Sequence, residues 1–84
     1  PGNAAILDSL GWVLYKKGDI KNALHYIELA YNKDQNPEIV EHFCEILIKN
    51  GFLKKSKEVM AIEIKKNPDN IDLLNKLTTL HGDD

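Results

Sequence analysis

Apolar side chains return every three or four positions along this chain, in stretches of three to four turns separated by short polar breaks. That spacing is helical, and no segment alternates apolar and polar residues as a half-buried strand would. The breaks carry helix punctuation. Asn3 can cap a helix over about 4–17. Gly18-Asp19 supplies a stop and a fresh N-cap for a second helix over about 20–33. Asn36-Pro37 places a capping asparagine before proline at the first helical position, starting a third helix that runs to about Asn50 before Gly51. A fourth helix spans about 53–66 and ends at Asn67-Pro68, and Asn70 caps a fifth over about 71–81 before the polar end Gly82-Asp83-Asp84. The predicted class is all-α.

Gly11 interrupts this pattern. It stands inside the apolar run Leu10-Gly11-Trp12-Val13-Leu14 with no turn residue beside it. A glycine inside a helix costs about 1 kcal/mol relative to alanine. Its presence implies that another segment comes so close at that point that a side chain would not fit.

A fixed offset links the helices. Gly18 and Gly51 are 33 residues apart, and the same step carries Leu10 to Phe43, Gly11 to Cys44, Leu14 to Leu47, Ala23 to Ser56 and Ile27 to Met60. Pro1-Gly2-Asn3 recurs as Pro68-Asp69-Asn70 after two such units. A helix pair recurring at this period indicates a helical solenoid.

On these residues the chain resembles the tetratricopeptide (TPR) repeat family, whose pattern is W-x2-L-G-x2-Y, then A-x3-F, then P, with a period of about 34. The first unit supplies Leu7, Leu10, Gly11 and Leu14, then Ala23 and Ile27, with Ala30 one turn on. The second supplies Val40, Phe43, Cys44 and Leu47, then Ser56, Met60 and Pro68. The first unit is one residue short, with its proline shifted to Pro37. The second has Ser56 and Glu63 where a TPR usually has small apolar residues, so looser packing is expected there. The run LDSLGWVLYKKGD is also similar to the terminal repeats of larger bacterial TPR proteins. The resemblance implies a right-handed solenoid of two helix pairs, about 4–36 and 37–70, plus a capping helix over about 71–81. It assigns Gly11, Ala23, Ala30, Cys44 and Ser56 to the close contacts within and between units, which answers the question raised by Gly11.

Composition narrows the function classes. The 84 residues are 43% hydrophobic and 29% charged, with a net charge of −2 and acids and bases interleaved. There is no basic stripe for nucleic acid and no apolar run long enough to span a bilayer. A single cysteine, Cys44, excludes an internal disulfide. The opening Pro-Gly-Asn, without an initiator methionine or leader, reads as an excerpt of a longer protein, so the compartment stays open between cytoplasm and bacterial cell envelope.

No catalytic constellation is present. His42 and Cys44 are two positions apart and point about 200° apart on a helix, so they form no dyad. His25, His42 and His81 show no His-x3-His spacing or cysteine pair that would suggest a metal site, and no metal or cofactor is assigned. Lys54-Lys55-Ser56-Lys57 reads as a solvated helix start rather than an anion site.

What remains is a surface. A helical rotation of about 100° per residue puts Ala5, Asp8, Trp12 and Tyr15 opposite Leu10, which is read as core. The same rotation puts Glu38, Glu41, Glu45 and Ile48 opposite Phe43, and Asp72, Asn75 and Thr79 on the fifth helix. In TPR proteins this face lines the concave groove that receives peptide segments. The implied groove is acidic at Asp8, Glu38 and Glu41 and apolar at Trp12, Tyr15 and Ile48. It suits a basic or amphipathic protein segment, in a non-catalytic interaction module. The competing readings are structural. Glu38 and Glu41 complement the helix dipole without any ligand, and Trp12 can pack on a neighbouring helix. The alternative to an interaction module is the end of a longer superhelix, stabilising its parent or self-associating through an N-terminal face where Ile6, Val13 and Tyr26 are partly uncovered.

Overall fold

The computed structural model describes residues 2–82; the calls on Pro1 and on Asp83-Asp84 lie outside them. Five helices follow one another, α1 (Ala4–Lys16), α2 (Ile20–Lys33), α3 (Pro37–Lys49), α4 (Leu53–Lys66) and α5 (Ile71–His81), with no strand among the described residues. The helix starts are chemical. The side chains of Asn3, Asp19, Asn36 and Asn70 accept from the backbone N–H three residues on, each satisfying an otherwise unpaired donor. Only α4 lacks such a bond, because Phe52 occupies its N-cap position. Gly18 and Gly51 turn the chain between the helices of each pair with φ of 93° and 86°, a conformation costly for any residue with a Cβ.

Each helix packs on the next, and α3 sits at the centre, touching the other four. It buries six residues, Ile39, Val40, Phe43, Cys44, Ile46 and Leu47, against which Ala23, Ile27, Ala30, Val59, Leu73 and Leu77 close the core. Gly11 lies where α1 meets α2. A Cβ there would stand 3.2 Å from both the Ala23 carbonyl oxygen and the Ile27 nitrogen. The obstructing atoms are backbone, so the close approach inferred for this glycine is real. In the second pair the same position carries Cys44 and the contact is polar: the Ser56 hydroxyl donates to the Cys44 carbonyl at 3.1 Å.

The helices of the second pair meet less extensively than those of the first, as expected, although Ser56 and Glu63 are both fully buried. Glu63 is held there by the Tyr31 hydroxyl, which donates to its carboxylate at 2.5 Å, and by Lys66 at 3.2 Å. Leu10 is not core: it is 40% exposed, with Ile6 at 62% and Val13 at 50% along the same side of α1. The repeat explains why. A step of 33 carries these three to Ile39, Phe43 and Ile46, which are buried at the centre, with Phe43 lying against Tyr31 of α2. A further step of 34 reaches Leu73 and Leu77, both buried, and the half-buried Leu80. In α3 and α5 this stripe has a preceding helix to meet. Within residues 2–82, α1 has none.

Candidate functional site

The face predicted to be functional resolves into two neighbouring parts. The first is a cleft of about 560 Å³ between α3 and α5. Glu41, Glu45, Ile48 and Lys49 form one wall, and Asn75, Lys76, Thr79 and Leu80 the other. The i, i+4, i+7 spacing of Glu41, Glu45 and Ile48 puts them on one side of α3. Ile48 and Leu80 supply apolar surface. Lys76 stands 3.9 Å from Glu41 and 3.3 Å from Asp72. Two acids and two lysines therefore line the walls, and the cleft is charge-balanced rather than acidic. Lys76 comes beside Glu41 only with the fold, whereas Lys49 lies one turn beyond Glu45 on α3 itself. Asn75 and Thr79 face this cleft, whereas the Thr78 hydroxyl donates back to the Leu74 carbonyl of its own helix.

The second part lies between α1 and α3 and is aromatic and ionic. Trp12 is half-buried and stacks on His42 with centroids 3.9 Å apart and planes 16° from parallel. Lys16 Nζ lies 4.8 Å from the Trp12 ring centre, within cation–π range. Asp8 is buried, and its carboxylate sits 2.7 Å from His42 Nδ1. Glu38, exposed in the first turn of α3, completes a group with Asp8 and His42 whose ligating atoms lie within 4.8 Å of one another. Tyr15 joins the two parts by donating to Glu45 at 2.8 Å. Burial, then the hydrogen bond and charge of Glu45, push the Tyr15 hydroxyl up to about 12.

Asp8, Trp12 and Tyr15 thus come to the predicted side of α1, but they are engaged by α3 rather than free. The residue that sequence reasoning passed over is His42. Its spacing from Glu38, i and i+4 on one helix, was visible. Its contact with Asp8, 34 residues earlier, required the repeat to bring α1 and α3 side by side. Cys44 is buried, its thiol 3.8 Å from the Ser56 carbonyl, and burial pushes it up to about 11. An inert packing thiol behaves this way. The three lysines of 54–57 are exposed while Ser56 between them is buried, as a solvated helix start requires.

No protein-family profile matches the chain, and no solved structure matches it significantly. Among curated proteins it is 36% identical over 45 residues to a TPR repeat-containing protein of Pseudomonas aeruginosa. The matched stretch is 54% of this chain and 8% of that relative's length. With two helix pairs in register and a small residue at each point of closest approach, this likeness is consistent with a TPR-type repeat. In TPR terms, Gly11 and Cys44 occupy the glycine position of the pattern, and the cleft between α3 and α5 lies between the first helix of the second unit and the helix that follows that unit.

Proposed function

We propose that this chain is a non-catalytic protein-interaction module, with repeats at about 4–36 and 37–70 and a closing helix at 71–81, wound as a right-handed solenoid. The observation that supports it is the α3–α5 cleft, which combines the apolar Ile48 and Leu80 with the paired charges of Glu41 and Lys76. An amphipathic segment fits these walls: its apolar side chains would cover Ile48 and Leu80, and its basic groups would compete with Lys76 for Glu41. Asp8, Trp12 and Glu38 would extend the binding face towards α1. A random-peptide display selection against the folded chain tests this. Selected peptides should share an apolar–basic pattern, shift the amide resonances of α3 and α5, and lose binding to a Glu41→Lys, Ile48→Asp variant of unchanged helical circular dichroism. Binders that shift only α1 or α4 resonances would refute the cleft assignment.

A second reading is favoured by a separate observation, the bare stripe Ile6, Leu10 and Val13. Its counterparts in α3 and α5 are buried or half-buried in the core, so the segment would serve as part of a longer superhelix or associate with a second copy through this face. Sedimentation at several concentrations distinguishes the two: a strict monomer at all concentrations excludes self-association and leaves the cleft reading untouched.

A further inference from the structure

We propose that Asp8, Glu38 and His42 form a divalent transition-metal site between α1 and α3. The ligating atoms of all three already lie within 4.8 Å of one another. Two of them, His42 Nδ1 and Asp8 Oδ1, are 2.7 Å apart. Ligands about 2.0–2.1 Å from a tetrahedral Zn²⁺ stand roughly 3.3 Å from each other. The Asp8–His42 pair therefore opens by about 0.6 Å, and the exposed Glu38 side chain swings in from the rim.

Charge points the same way. Asp8 is only 7% exposed, and the chain contains no arginine. No lysine lies within ion-pair distance of Asp8 or Glu38 among the described residues; the lysine pairs go to Glu28, Glu41, Glu63 and Asp72. A buried carboxylate needs a cation beside it. Here the neutralising partner is one imidazole, which carries at most one positive charge against two carboxylates. A divalent ion balances both carboxylates and leaves His42 neutral, the form in which imidazole coordinates metal.

The site is also organised for a metal. Glu38 and His42 project from one side of α3 at i and i+4, Asp8 comes from the facing helix, and the stacked Trp12 fixes the His42 ring plane. One imidazole and two carboxylates leave the fourth position open to solvent on the exposed Glu38 side. Such a donor set suits Zn²⁺ and its first-row neighbours better than Ca²⁺ or Mg²⁺, which take all-oxygen shells.

The test is calorimetric titration of the chelator-treated chain with ZnCl₂, with Trp12 fluorescence as a second readout because it is the chain's one tryptophan. One equivalent of Zn²⁺ should bind and change the Trp12 emission. Glu38→Gln, Asp8→Asn and His42→Gln should each weaken binding by about tenfold or more, and His25→Gln should leave it unchanged. Glu38 is exposed, so its variant cannot fail merely by unfolding. Absence of saturable Zn²⁺ binding by the folded wild-type chain overturns the site. So does binding that survives Glu38→Gln and His42→Gln.

Discussion

Two residues show how much of this fold is decided at single positions. Gly11 gives up helix propensity so that the α2 backbone can approach, and the atoms it makes room for, the Ala23 carbonyl oxygen and the Ile27 nitrogen, cannot rotate away. Gly11→Val should therefore lower stability by about 1–3 kcal/mol, the usual cost of forcing extra methyl groups into a packed contact, as read by urea unfolding. A neutral effect would mean that α1 and α2 separate easily at this point. Glu63 shows the opposite strategy, a charge kept inside by its partners. One of its oxygens accepts from Tyr31 and Lys66, and the other has no hydrogen-bond partner. Tyr31→Phe removes one of those donors and should cost about 1–3 kcal/mol. Replacing both members by apolar residues, Tyr31→Phe with Glu63→Leu, should recover much of that loss, because an apolar pair leaves no buried charge in need of a donor. A double variant that unfolds as readily as the single one would show that Glu63 contributes more than its own desolvation cost.

The helices differ in how well their ends are specified. Four begin at a side chain that accepts a backbone N–H, and α4 begins at Phe52, half exposed, followed by Lys54 and Lys55 in the first turn, where positive charge opposes the helix dipole. Asp19 holds the corresponding cap in the first pair and bonds the Asn22 N–H at 3.3 Å. Phe52→Asp should accordingly stabilise the chain by about 0.5–1 kcal/mol and slow amide exchange through the first turn of α4. At this scale the sequence was largely legible, because capping asparagines, glycine stops and the apolar period are local signals. The predicted third helix overran by one residue, to Asn50. In the structure that residue caps the helix, its N–H shared among the carbonyls of Ile46, Leu47 and Ile48. The candidate site was legible only in outline. A helical wheel brought Asp8, Trp12 and Tyr15 together on one side of α1, the side that meets α3. It could not show that Trp12 would stack on His42, or that Lys76 would arrive beside Glu41, since both contacts join separate helices. Leu10 failed for the same reason: its apolar character was plain, but whether a helix covers it is a property of the assembly.

For the molecule as a whole, ionisation sets an alkaline limit on stability. Burial raises Cys44 from 9.0 to about 11 and, with Glu45, Tyr15 from 10.0 to about 12, while Tyr31 is raised by burial and by Glu63. Each group keeps its proton longer folded than unfolded. Their contributions are therefore complete below about pH 9 and are lost as pH climbs towards 11–12. The melting temperature should fall over that range, and Tyr15→Phe with Cys44→Ala should flatten the fall.

The bare stripe of α1 gives the sharpest test of the repeat itself. Ile6, Leu10 and Val13 are chemically like Ile39, Phe43 and Ile46 and stand at the same register, but only the second set is buried. If burial rather than residue type sets the cost, Leu10→Ala should change stability by less than about 1 kcal/mol, whereas Phe43→Ala should cost about 3–5 and Leu77→Ala about 2–5. Equal costs at Leu10 and Phe43 would mean that something covers α1 in solution, and sedimentation would identify a second copy as the cover. In that case the weight-average mass should rise with concentration for the wild-type chain, and Leu10→Lys should hold it at the monomer value. An exposed stripe that leaves the chain monomeric, with Leu10→Ala harmless, would instead show that these residues do not stabilise the isolated segment and are free to receive another helix.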